Sequence, residues 1–272
     1  MNNGDSVTIR LSQPELAFLL RSIGAQTLPG LGPDPLGRIG MVDTRQLLEE
    51  AVRSLIHRGI VTMDAQGAPV VDKPVQAAVT ACVYPEQMVS LSYTDAGQPQ
   101  QGYFYRAQDL SVTHSFPEQG FSELRIGSAS DMGLEVVNGL FRALQPSSWR
   151  SQSYPLMQYW LAKAQRLSEN QFDAAVGVLT DAGVAGDDAR ALASVFRAPA
   201  LKLVLQCFYQ IQPIPEQRVL TVLADGGSCW LIGADALDTK TILVQAMPPG
   251  DALHAIHEAY NPFAQPQPSV RY

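Results

Sequence analysis

The chain has 272 residues, 46% of them hydrophobic, enough to bury a large core without disulfides or structural metals and too many for wholesale disorder. Its 19 basic and 26 acidic side chains give a formal charge of −7 at pH 7, which argues against the concentrated positive surface that nucleic-acid binding needs. The length suits one large domain or two modest ones.

The first predicted helix runs from Ser12 to Ile23. Ser12 and Glu15 have the spacing of a capping box, Leu16, Leu19, Leu20 and Ile23 form an apolar stripe, and Gly24 ends it. A Gly- and Pro-rich loop follows to Gly40. A second helix is predicted from Thr44 to Arg58, buried through Leu47, Leu48, Ala51, Val52, Leu55 and Ile56, with Gly59 at its C-terminus. Residues 60–63 and 69–71 read as a small hairpin about Asp64-Ala65-Gln66-Gly67, and Lys73 to Val83 as a short helix stopped by Pro85. Strands are then expected at 88–93, 102–106, 111–116 and 123–126, with a turn at Asp95-Ala96-Gly97, and a helix from an Asp131 cap to Phe141.

The second half repeats that order. Ser168 with Gln171 reads as another capping box, opening a helix that closes near Gly183, and a further helix spans Asp187 to Phe196. Strands are expected at 201–209, 218–224, 228–233 and 241–246, with a final helix capped by Asp251. Pro199 stands opposite Pro85 at an offset of 114 residues. The expected architecture is therefore α+β, with pseudo-two-fold duplicated antiparallel sheet units and flanking helices. Its domains are an N-terminal α+β half at 1–144 with a winged-helix-like segment, a packed bridge at 145–167, a C-terminal α+β half at 168–260 and a proline-rich tail at 261–272.

The opening Met1-Asn2-Asn3-Gly4-Asp5-Ser6 has neither the basic segment nor the apolar run of a secretory signal. Apolar runs are strand-sized, short of the roughly 20 residues that cross a bilayer. Cys82, Cys207 and Cys229 are too few and too scattered for a disulfide framework, so they are expected as core thiols in a reducing cytoplasm.

Chemical motifs are sparse. His254 and His257 share a helix without the third ligand zinc requires, and His57 and His114 are isolated, so no metal, cofactor or catalytic residue is expected. The Gly30-Leu31-Gly32 run follows a helix and lacks the dinucleotide spacing. Residues 44–71 resemble a winged-helix fragment with Arg45, Arg53 and Arg58, but Glu49 and Glu50 offset the charge. Aromatic residues favour a protein-interaction role. Tyr103, Tyr105, Trp149, Tyr154 and Trp160 are the candidate partner-binding residues, since such rings join an apolar body to a polar edge.

Taken together, Leu11-Ser12-Gln13-Pro14-Glu15-Leu16, Ile23-Gly24, Leu28-Pro29, Leu55-Ile56-His57-Arg58-Gly59-Ile60, Asp64-Ala65-Gln66-Gly67 and the helices ending at Tyr84-Pro85 and Ala198-Pro199 resemble the EspG family of cytosolic chaperones of mycobacterial type VII secretion, over Leu11 to Tyr260. The resemblance implies a pseudo-two-fold α+β fold, no cofactor, and binding of helical secretion substrates by shape and apolar contact. A non-enzymatic cytoplasmic chaperone or adaptor is therefore the leading expectation. A winged-helix regulator and an enzyme assembled from distant residues, such as His114 with Cys229, are the alternatives. Oligomeric state stays open.

Overall fold

The computed structural model describes residues 7–28, 41–95, 98–128, 132–142, 144, 151–209, 216–234 and 240–260. The loop at 29–40, the turn residues Ala96 and Gly97, the Asp131 cap, Trp149 and the proline-rich end at 261–272 lie outside them. The fold is mixed α+β with extensive antiparallel sheet and flanking helices, and it divides into two units.

The first unit takes residues 1–90, 101–132 and 208–216. It opens on β1 (Val7–Ser12), a strand not anticipated above, whose alternate residues Ile9 and Leu11 are buried. Ser12 ends β1 and caps α1 (Gln13–Ser22): its hydroxyl accepts the Glu15 N–H at 3.4 Å and the Glu15 carboxylate accepts the Ser12 N–H at 2.8 Å, the reciprocal box read from the spacing. Next comes α2 (Met41–His57). Gly59, at φ +72°, closes it: its N–H donates to the Ile56 carbonyl and that of Ile60 to the Leu55 carbonyl. This is a Schellman ending, which needs the left-handed backbone that glycine adopts without strain.

The hairpin β2 (Val61–Met63) and β3 (Pro69–Val71) stands as its own two-stranded sheet, and α3 (Lys73–Val83) follows with the predicted limits. Then come β4 (Gln87–Asp95), β5 (Gln98–Ala107), β6 (Leu110–Ser115) and β7 (Phe121–Ser128). The strand order in this unit is β1-β7-β6-β5-β4, with β4 contributing 87–90 and β5 contributing 101–107. Register places Ile9 beside Leu124, Tyr103 beside His114 and His114 beside Leu124. One core forms on this face from Leu16, Leu19 and Leu20 of α1, Leu55 of α2, Val75, Val79 and Cys82 of α3, and Tyr103, Tyr105, Val112 and Leu124 of the strands.

The second unit takes residues 91–100, 133–207 and 217–272. Its elements are α4 (Met132–Arg142), β8 (Gln152–Met157), α5 (Gln158–Ser168), α6 (Phe172–Asp181), α7 (Gly186–Arg197), β9 (Leu201–Tyr209), β10 (Glu216–Ala224), β11 (Cys229–Ala234), β12 (Thr241–Ala246) and α8 (Pro249–Tyr260). The stretch expected as a bridge thus carries a strand and a helix. Ser168 closes α5, its hydroxyl donating to the Gln165 carbonyl, and Gln171 takes the N-cap position of α6, so the capping box expected at Ser168 does not form. Asp251 sits inside the first turn of α8 rather than at its cap, because the helix starts two residues earlier at Pro249, a favoured first-turn residue. The strand order is β9-β10-β11-β12-β8. Leu156, Leu161, Leu179, Leu192, Trp230 and Val244 anchor the core between the strands and α5–α7. Gly183, at φ +96°, ends α6 with the same hydrogen-bond pattern as Gly59.

From β1 to α4 and from β8 to α8 the element order is the same, apart from the β2–β3 hairpin. The strands β4 and β9 stand 114 residues apart at both ends, 87 to 201 and 95 to 209.

Candidate functional site

Pleating decides where the predicted aromatic residues lie. Tyr103 and Tyr105 alternate onto the helix-covered face of β5, where they are 4% and 1% exposed and their rings stack at 6.3 Å. Phe104, on the opposite face, is buried as well. Burial raises the pKa of both tyrosines; for Tyr103 the amide of Gln101, donating to its hydroxyl at 2.6 Å, opposes this. Neither ring offers a partner much surface: alternation shows which residues share a face, not that a helix covers it.

Tyr154 and Trp160 are half-buried in the second unit. The Tyr154 hydroxyl, on β8, donates to the Asp188 carboxylate of α7; burial and then that carboxylate raise its pKa. Trp160 lies in the first turn of α5 against Tyr159, centroids 5.4 Å apart at 67°. The Lys163 ammonium, one turn on, reaches over both rings at 5.4 and 6.0 Å. Tyr159 is 60% exposed and Met157, where β8 hands over to α5, 57%. Together these side chains form an apolar, cation-topped corner. Met157 and Tyr159 were not singled out above; they fall out of step with Leu156 and Leu161, which point into the core.

The first unit has a second surface feature, an open groove of about 800 Å³ between α3 and the β5–β6 turn. Lys73, Thr80 and the exposed ring of Tyr84 line one side, and Gln108, Asp109 and Leu110 the other, while Ala77, Ala81 and Ala107 keep it shallow. Gln108 holds φ +53° in that turn, and its N–H donates to the Glu86 carboxylate at 3.2 Å.

His114 is fully buried in the first unit, and burial lowers its pKa to about 4. Cys82, Cys207 and Cys229 are buried free thiols; burial raises the pKa of Cys82 and pushes that of Cys229 up to about 12, so neither is a ready thiolate. His254 pairs with Glu258 at 3.4 Å, and His257 bonds Asn138 of α4 at 3.1 Å. Among the described residues no group of three His, Cys, Asp or Glu could hold a metal, and no helix is long and apolar enough to cross a membrane.

The basic side of α2 is largely spoken for. Arg45 pairs with Glu49 at 3.0 Å, and Arg58 donates to Glu15 at 3.0 Å and to the Arg10 carbonyl at 2.6 Å. Glu15, 5% exposed, also accepts from Ser54 at 2.8 Å. Burial raises its pKa, but the bonds from Ser12, Ser54 and Arg58 outweigh burial and leave it lowered. Of the three arginines of the wing reading, Arg53 alone has no ion pair or side-chain hydrogen bond among the described residues, and one arginine is a thin basis for phosphate contact.

No family model and no curated protein matches the chain. Its fold does match a solved structure, that of the Mycobacterium tuberculosis type VII secretion system chaperone EspG5 in complex with the PE25–PPE41 dimer. The TM-score is 0.66 at 15% identity, over 94% of this chain and 96% of that one.

Proposed function

We propose that this chain is a non-enzymatic protein-interaction module, a cytoplasmic chaperone or adaptor that holds a helical protein partner of a secretion system. The observation that carries the reading is the near-full-length fold likeness to a chaperone solved with a protein dimer bound. The thiols of Cys82 and Cys229, held protonated by burial, agree with it. In this reading Tyr154 and Trp160, joined by Met157 and Tyr159, supply the partner-facing surface, and Trp149 precedes the same strand. Exposed aromatic and Met side chains beside a cation suit an apolar helix tip. We read the repeated element order as a pseudo-two-fold duplication in which β2–β3 is an addition to the first copy.

The test is purification of the tagged chain from its native organism at low salt, identification of stoichiometric companions by mass spectrometry, and reconstitution with each candidate. A defined 1:1 complex with one helical protein, weakened by Tyr159→Ala with Trp160→Ala, supports the reading. A protein that comes alone with a retained cofactor, metal or nucleic acid overturns it.

A further inference from the structure

The ring of His114 is fully buried on the helix-covered face of β6, and among the described residues neither Nδ1 nor Nε2 has a hydrogen-bond partner. Buried polar atoms are almost always paired, so an imidazole with both nitrogens unpaired is a costly choice for a core position. Its neighbours explain why the cost rises in acid. Phe116 lies 4.6 Å away at 50° and Tyr103 6.1 Å away at 39°, with Leu124 beside it in register on β7. Phe116 is 39% exposed, so its ring marks the solvent side of the site.

Among the described residues, the groups around the ring offer no counter-charge. On β5 the titratable groups of this face are Tyr103 and Tyr105, and on the buried face of α3, which packs over β6, it is Cys82. All three are held neutral by burial. On β7 the buried residues of this face are Ser122, Leu124 and Ile126, none of them charged. From α1 the charged group is Glu15, whose oxygens are taken by Ser12, Ser54 and Arg58.

We propose that His114 is an acid-sensitive latch in the first unit: the ring takes a proton only when the Ser115 end of β6, with Phe116 just beyond it, swings away and lets water reach it, so acidification opens this face and exposes the buried ring of Tyr103. The folded state holds the ring neutral to about pH 4, whereas an unfolded chain takes the proton near 6.5. The folded pKa is the lower one. Stability is therefore fully present above about pH 6.5 and is lost as pH falls from there toward 4.

Urea unfolding of the full chain followed at pH 8, 7, 6 and 5 tests this, with His114→Gln and His114→Leu as non-titrating variants. The unfolding constant of the wild type should rise about 30-fold more between pH 8 and pH 5 than that of either variant. An NMR titration of the wild-type ring, assigned by the signal lost in His114→Gln, should leave it neutral at pH 5. Phe116→Ala should move that titration upward by admitting water. Parallel pH profiles for wild type and variants, or a His114 ring that titrates near 6.5 in the folded chain, overturns the proposal. The NMR arm decides the matter even if both variants fold poorly.

Discussion

Glu15 ties three segments of the first unit together, and its removal tests the reasoning most directly. The carboxylate is an N3 capping residue, accepts hydrogen bonds from Ser12, Ser54 and Arg58, and is almost wholly buried. A hydrogen bond to a charged group contributes about 1.5–3 kcal/mol when the group is buried. Three such bonds do not sum in full, because the Arg58 side chain is about a third exposed and water replaces part of its loss. Glu15→Ala should therefore cost about 3 kcal/mol, and Glu15→Gln about 2 kcal/mol, since the amide keeps one acceptor but turns a donor toward groups that are themselves donors. The assay is urea unfolding at pH 7 by far-UV circular dichroism, comparing midpoints at constant slope. The pH dependence has a fixed sign: the folded pKa of Glu15 lies below its ordinary value, so its contribution is present above about pH 4.5 and is lost as pH falls through the folded value. A loss under about 0.5 kcal/mol for Glu15→Ala at pH 7 would refute the claim that this carboxylate locks β1, α1 and α2 together.

Three further outcomes follow from particular residues. Gly59→Ala meets no atom within 4 Å, so its cost comes from the backbone at φ +72° alone; about 1 kcal/mol is expected in a thermal or urea scan, and no change would show that α2 can end otherwise. The three buried thiols should react with an aromatic disulfide reagent only after denaturant is added, and fast labelling of any of them in the native protein would contradict their burial. Tyr159→Ala should leave stability within about 0.5 kcal/mol, since the ring is mostly exposed, while weakening partner capture in a pull-down with the identified companion.

Local chemistry was legible in the sequence. The Ser12–Glu15 box, the Gly59 ending, the limits of α3, β9 and β12 and the 114-residue spacing all depend on contacts within a few residues or on stop signals such as Pro85 and Pro199. Elements without such signals were missed. Within 151–168 the described β8 and α5 abut, with Met157 ending one and capping the other, so no Gly, Pro or polar cluster separates them. The strand β1 runs straight into its own helix cap at Ser12.

Tertiary structure alone decided which aromatic residues face out. Tyr103, Tyr105 and Trp160 look alike as types, yet helix packing closes over the first two, while half-buried Trp160 sits in the first turn of α5 beside exposed Tyr159 and Met157. It also joined Glu15 to Ser54 and Arg58, and left His114 without a hydrogen-bond partner among the described residues, through contacts between residues about 40 or more positions apart or through the pleat of neighbouring strands. Sequence periodicity records which residues share a face; what covers that face is a property of the whole chain, because burial is settled only when distant elements pack against it.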